Sequence, residues 1–237
     1  MKKLVFPILG VLILGFSGCN KPDDNIQSLE LPAIVGVSWE TFQPTMITSM
    51  GTFVAPELQS LLYTELYEGD AIWAYFSVNY DQPTASGEYV AYDITPFKVE
   101  TGWAQPTAGG ESMSGDYDIP IAELGVADLL QNRMFIVCQH TSMPADQKFL
   151  YEMTYDSDET SVPELCIRAK KDYTAGTGTV GTVNFPYAFN MYSFFMTYKD
   201  ANNMVKFKMK YKIGVDDDGK DRYEYYLQGT VFEIEVE

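Results

Sequence analysis

Val205-Lys206-Phe207-Lys208-Met209-Lys210-Tyr211-Lys212-Ile213 alternates apolar and charged residues without a break. A period of two marks a strand with one face against a core and the other in water. Asp216-Asp217-Asp218-Gly219-Lys220 follows with an Asp-Gly turn signal, and beyond it Phe232, Ile234 and Val236 alternate with Glu233, Glu235 and Glu237. The same texture fills most of the chain upstream: runs of Tyr, Thr, Val and Phe bounded by Gly, Pro, Asn and Asp. The expected fold class is therefore all-β.

Working back from that strand, further strands are expected at 133–140, 148–155, 164–171, 187–198 and 223–236. With 204–213 they predict an immunoglobulin-like β-sandwich over 117–237. Ile119 to Ile121 adds a short edge strand, and Ile121 to Leu130 has room for a helical turn or two. Residues 102–116 have little to bury except Trp103 and read as a linker. Ahead of them, 31–101 is expected to form a small N-terminal OB-like barrel, with strands at 33–39, 46–54, 69–80 and 87–100. Its one helix is placed by Leu58, Leu61, Leu62 and Leu66 on a common face, with Pro56 in the first turn.

At the N-terminus, Met1-Lys2-Lys3 precedes an apolar run from Leu4 to Phe16 that ends at Ser17-Gly18-Cys19. This reads as a signal peptide over 1–18, too short for a stable membrane span. Phe16-Ser17-Gly18-Cys19 resembles the lipobox of bacterial lipoproteins, which implies lipidation of Cys19 and attachment to a membrane without crossing it. Residues 19–30 then form a lipidated tether. Within it Lys21, Asp23 and Asp24 resemble the export signal of Bacteroidota surface lipoproteins, which implies an outer-membrane protein exposed at the surface. The alternative is the periplasmic face.

Composition narrows the partners. The chain of 237 residues carries 33 acidic side chains against 16 Lys and Arg, a formal charge of −17. Removal of Lys2 and Lys3 with the signal leaves the mature chain more acidic still. Nucleic acid is disfavoured as a partner, because phosphate contacts need cations.

Several residues invite a chemical reading. His140 is the single histidine, so a Ser/His/Asp or Cys/His constellation must use it, yet it sits on an expected core strand beside Cys138. Cys138 and Cys166 lie in a compartment that permits a disulfide, with two unlinked thiols as the alternative. Gly176-Thr177-Gly178-Thr179-Val180-Gly181 matches G-x-G-x-x-G but leads into Thr182-Val183-Asn184-Phe185-Pro186 rather than a helix, and reads as a loop. Asp216, Asp217, Asp218 and Asp221 are the residue type calcium prefers, but Tyr225 stands where an EF-hand needs its bidentate acid, so an acidic hairpin tip is expected. No metal and no cofactor is expected. Two surfaces remain as candidate ligand sites. Lys206, Lys208, Lys210 and Lys212 form one cationic strand face, and Trp103 offers a ring for stacking.

A lipoprotein signal, an acidic tether, a small N-terminal domain whose central strand opens Glu68-Gly69-Asp70-Ala71-Ile72-Trp73, and a C-terminal sandwich together resemble the NigD-like lipoproteins. The resemblance implies an OB-like domain before a sandwich and supplies no catalytic residues to carry over. The expected function is a non-enzymatic, lipid-anchored binding or interaction protein, held to the membrane through Cys19, with a glycan or an envelope protein as partner. Alternatives are a carbohydrate-binding accessory of a glycan-uptake system, bacteriocin-related envelope protection, and a glycoside hydrolase.

Overall fold

A computed structural model describes residues 25–85, 87–158, 161–172 and 176–236. The signal peptide, Cys19 and the export-signal residues Lys21, Asp23 and Asp24 lie outside the described residues. The chain divides into two compact units, Met1–Val99 and Glu100–Glu237.

In the first unit, strands β1 (Ile26–Val37), β2 (Pro44–Thr48), β3 (Gly51–Val54), β4 (Ala71–Asn79) and β5 (Tyr89–Lys98) close into a barrel in the order β1-β2-β3-β5-β4. All pairings are antiparallel except β3 with β5. This is the expected OB-like barrel. Ile72, Ala74, Phe76 and Val78 alternate inward from β4 to meet Ala33, Val35, Met46 and Phe53, and closure leaves no long strand edge unpaired. The expected 46–54 strand is a β2–β3 hairpin turned at Met50. The expected tether gives way to strand at Ile26.

The leucine-rich segment differs from expectation. It forms a 3-10 turn over Pro56–Ser60, followed by turns and a Leu62–Leu66 bridge, not a helix. Leu58, Leu62 and Leu66 do plug the barrel core as their spacing predicts, but Tyr63 turns left-handed at φ +65 and stops any helix short. Glu57 in the 3-10 turn reaches β5 and accepts hydrogen bonds from the backbone N–H groups of Asp93 (3.0 Å) and Ile94 (2.9 Å), where the strand bulges.

The second unit contains β6 (Thr101–Thr107), β7 (Glu123–Leu130), β8 (Arg133–Pro144), β9 (Phe149–Asp156), β10 (Glu164–Lys171), β11 (Val180–Asn190), helix α1 (Tyr192–Tyr198), β12 (Met204–Val215), β13 (Asp221–Tyr225) and β14 (Phe232–Glu235). Hydrogen bonding runs β13-β12-β10-β9-β6-β11-β8-β7, with β14 also on β12. The sheet curls so that its inner face encloses one core, to which Tyr151, Tyr155, Phe189, Phe194, Phe207 and Met209 contribute. In β12 the odd residues from Val205 to Tyr211 are buried as their alternation requires.

Three expectations fail here for identifiable reasons. Residues 102–116 are not simply a linker: β6 lies between β9 and β11, parallel to both. Gly102 permits this, since a Cβ there would meet the Tyr187 and Phe189 rings at 3.1–3.2 Å. Second, the 187–198 strand ends at Asn190, and α1 follows. Asn190 accepts a hydrogen bond from the backbone N–H of Tyr192 through its Oδ1 at 3.0 Å, and Phe194 and Phe195 face the core while Tyr192 and Met196 face water. Third, 123–130 is strand rather than helical turns, with a bulge between Val126 and Asp128.

Candidate functional site

The lysine row is graded. Lys206 is exposed and pairs with Glu233 on β14 at 3.2 Å. Lys208 lies opposite Glu164 of β10 in the register, and Lys210 pairs with that same Glu164 at 2.8 Å. Lys212 is buried; its ammonium meets Asp221 at 2.6 Å and donates to the Tyr117 carbonyl at 3.0 Å. Lys210 also stands over the Tyr223 ring, 5.4 Å from its centroid. The row thus ties β12 to β10, β13 and β14 and to the chain near Tyr117.

Beside it lies a buried polar cluster on the outer face of β9 and β10. Arg168 and Glu152, directly opposed on β10 and β9, are 4% and 2% exposed. Arg168 donates from Nη1 to Thr154 Oγ1 (2.7 Å) and Glu152 Oε1 (3.4 Å), from Nη2 to the Gly110 carbonyl (2.8 Å), and from Nε to Tyr223 Oη (2.7 Å). Thr154 donates to the same Gly110 carbonyl at 2.7 Å, Ser112 donates to Glu152 Oε1, and the Met113 N–H donates to Glu152 Oε2 at 3.2 Å. The segment after β6 is therefore strapped across the outer face of β9 and β10. These bonds fix the strap to the sheet beneath it.

Both cysteines are free and buried, on opposite faces of the sheet. Cys138 belongs to the core, whereas Cys166 stands among Arg168, Lys210 and Tyr223; burial pushes the Cys166 thiol up to about 11 and that of Cys138 higher still. Neither is poised as a thiolate.

His140 is fully buried, stacked on Phe149 at 4.0 Å. Its Nδ1 lies 2.8 Å from the Pro120 carbonyl, which can only accept, so Nδ1 carries the proton and Nε2 accepts from Tyr151 Oη at 2.8 Å. Desolvation lowers the imidazole pKa below its ordinary value. A neutral folded histidine opposed to a normal unfolded one gives stability that is complete at neutral pH and is lost as pH falls below about 6.5. Urea denaturation from pH 7.5 to 5 should show this loss, and His140→Gln should flatten the slope; an unchanged slope in the variant would assign the loss to other groups.

The acidic turn is self-contained. Asp216 Oδ1 accepts from the N–H groups of Asp218 (3.0 Å) and Lys220 (2.8 Å), and Asp221 serves Lys212 and Tyr223. Among the described residues no cluster of three His, Cys, Asp or Glu side chains is arranged to hold a metal. In the Gly-Thr-Gly loop, Asp146 accepts from Gly178 N–H (2.6 Å) and from Thr177 through both its N–H and its hydroxyl. These bonds bring its pKa down to about 2. A Cβ at position 176 would sit 2.7 Å from Pro144 Cβ and 2.9 Å from Gln147 N, so close packing explains that glycine.

Several large aromatic rings remain open to solvent. Trp103 is 52% exposed on the outer face of β6, opposite Asn190 of β11. Trp39 and Phe42, in the turn between β1 and β2, are 83% and 72% exposed. That turn is well bonded: Ser38 N–H donates to the Gln43 carbonyl at 2.9 Å and Phe42 N–H to the Ser38 carbonyl at 2.8 Å. Phe42 is left-handed at φ +55, a conformation that costs a non-glycine residue about 1–2 kcal/mol. Trp39, like Trp73 and Trp103, is a stacking candidate from its residue type alone, whereas Phe42 carries no signal in the sequence beyond Trp-Glu-Thr-Phe between two strands.

The chain is thus an all-β protein in which an OB-like barrel precedes a sandwich-like curled sheet. No family model and no curated protein matches it. Solved structures do. An uncharacterized protein from Parabacteroides merdae is 21% identical with a TM-score of 0.69, the match covering 88% of this chain and 99% of that one. A candidate lipoprotein from Bacteroides fragilis is 12% identical with a TM-score of 0.59, over 88% of this chain and 98% of the other. A NigD-like immunity protein from Bacteroides caccae is matched at 9% identity and a TM-score of 0.49, over 88% and 97%. The likeness is one of fold.

Proposed function

We propose that this is a lipid-anchored protein of the outer envelope, held at the cell surface through Cys19, that works by binding a partner rather than by turnover. The observation that carries the reading is the β1–β2 turn. Two large aromatics are left in water on hydrogen-bonded backbone, one of them in a costly conformation. Burial does not explain them, and strained residues that stability does not require point to function.

Turnover finds less support. A glycoside hydrolase needs two carboxylates flanking a cleft, whereas Glu152 is sealed under the strap. The lysine row as a polyanion dock is weakened by its ion pairs with Glu233, Glu164 and Asp221.

A photo-crosslinking phenylalanine analogue at Trp39, in the lipidated chain in living cells, should give a discrete light-dependent adduct. The same analogue at exposed Asp217 should not. Equal labelling from both positions would remove the turn as a binding element, and retention of acyl label by Cys19→Ser would remove the anchor.

A further inference from the structure

A second exposed surface lies on the outside of the barrel, where β1, β4 and β5 run side by side. The registers place Phe97, Trp73 and Pro32 in one cross-strand row, Thr95, Tyr75 and Glu30 in the next, and Tyr92, Ser77 and Ser28 in a third. Phe97 is 53% exposed and Tyr75 49% exposed, while Trp73 is partly exposed above the buried Pro32. The inward residues of β4 already fill the core, so these rings contribute nothing to it.

Three features distinguish the patch from scattered surface aromatics. The indole of Trp73 donates from Nε1 to Glu30 Oε1 at 3.0 Å, which holds the ring in one orientation. Adjacent rows on a strand are about 6.6 Å apart and directly opposed residues about 5 Å apart, so Trp73, Tyr75 and Phe97 form a contiguous cluster on the outer wall of the barrel. Acceptors and hydroxyls interleave with the rings: Glu30, Thr95 and the Ser28–Ser77 pair, whose oxygens are 3.3 Å apart. The nearby cation, Lys98, is paired with Asp70 at 2.6 Å.

From this we infer that the β1–β4–β5 face is a binding platform for neutral polysaccharide. Neighbouring rings on the barrel wall match the C–H faces of pyranoses, and a carboxylate among hydroxyls matches their equatorial O–H groups. Charge selects against the other occupants. With −17 on the chain and Glu30 on the β1 flank of the patch, an anionic glycan or phosphorylated headgroup would be repelled. A hydrophobic protein partner would strand the Glu30 carboxylate without water. The inference rests on the reading of the chain as a binding protein but is independent of the Trp39–Phe42 turn.

The test is affinity electrophoresis of the full lipidated chain in detergent, through gels containing mixed-linkage β-glucan, xyloglucan, mannan, starch, or polygalacturonate as the anionic control. Retardation is expected with at least one neutral polymer and not with polygalacturonate. Tyr75→Ala with Phe97→Ala, both at exposed positions, should weaken it at least tenfold, as should Trp73→Ala, while Tyr192→Ala, at an exposed ring of α1 outside both surfaces, should leave it unchanged. Far-ultraviolet circular dichroism identical to that of the parent chain qualifies each variant. Absence of retardation by every neutral polymer, retardation by polygalacturonate alone, or loss only in the Trp39/Phe42 or Trp103→Ala variants would each overturn the assignment. An adduct at Trp39 combined with any of these results would leave the binding reading standing and remove only the glycan face.

Discussion

Arg168→Ala is expected to be among the most destabilising single substitutions in the second unit, by about 3–5 kcal/mol, because it strands a buried carboxylate. Glu152 would lose its cationic partner, and the carbonyl of Gly110 would lose one of its two donors. Loss of that size should lower the melting temperature of the unit by roughly 10 °C. Arg168→Lys should rescue little, since an ammonium cannot reach Thr154, Gly110 and Tyr223 together as the guanidinium fork does. Replacing Arg168 and Glu152 together with apolar residues should not restore stability either, because the buried Gly110 carbonyl would keep only its Thr154 donor and the Met113 N–H would lose its acceptor. Thermal and urea denaturation of the three variants provides the check. A shift below about 1 kcal/mol for Arg168→Ala would mean that the strap is not held from beneath.

The second large effect belongs to Phe194→Ala, expected at about 3–5 kcal/mol. Phe194 is completely buried and meets the rings of Tyr155 (5.0 Å), Tyr198 (5.0 Å) and Phe207 (5.7 Å), so α1 seals the core through it. Neighbouring Tyr192, in the same helix but 53% exposed, is the matched control, and Tyr192→Ala should change stability by less than about 1 kcal/mol. Equal effects from the two would place 192–198 outside the core-sealing role and return it to the expected strand.

How far the sequence spoke depends on the element. The alternation of β12 and the apolar faces of β4 named their own inward residues, because a period of two is read directly off the chain. Helix α1 was hidden by composition: Tyr-Ser-Phe-Phe-Met-Thr-Tyr is rich in residues that favour strands, and only its packing against β12 and β6 selects helix. Strand β6 was hidden for the opposite reason. Gly102 and Pro106 read as breakers, yet a central parallel position needs that glycine for clearance.

The candidate sites divide in the same way. The lysine face was visible as a row, and Asp221 and Glu233 come from the strands that follow it, but Glu164 comes from β10, distant in sequence. The barrel platform required knowing which strands lie beside β4. His140 was legible as a core residue from its strand, though its partners Pro120 and Tyr151 were not.

The position of β6 also governs the order in which the second unit can assemble. It is the first strand of that unit to emerge, yet its neighbours are β9 and, much later, β11, where Trp103 pairs with Asn190. Until those segments arrive, both of its hydrogen-bonding edges stay open, and neither can be satisfied by a local hairpin. A chain built this way has a slow, late-closing folding route with high contact order. Until then its open edges would present a template for intermolecular β-pairing.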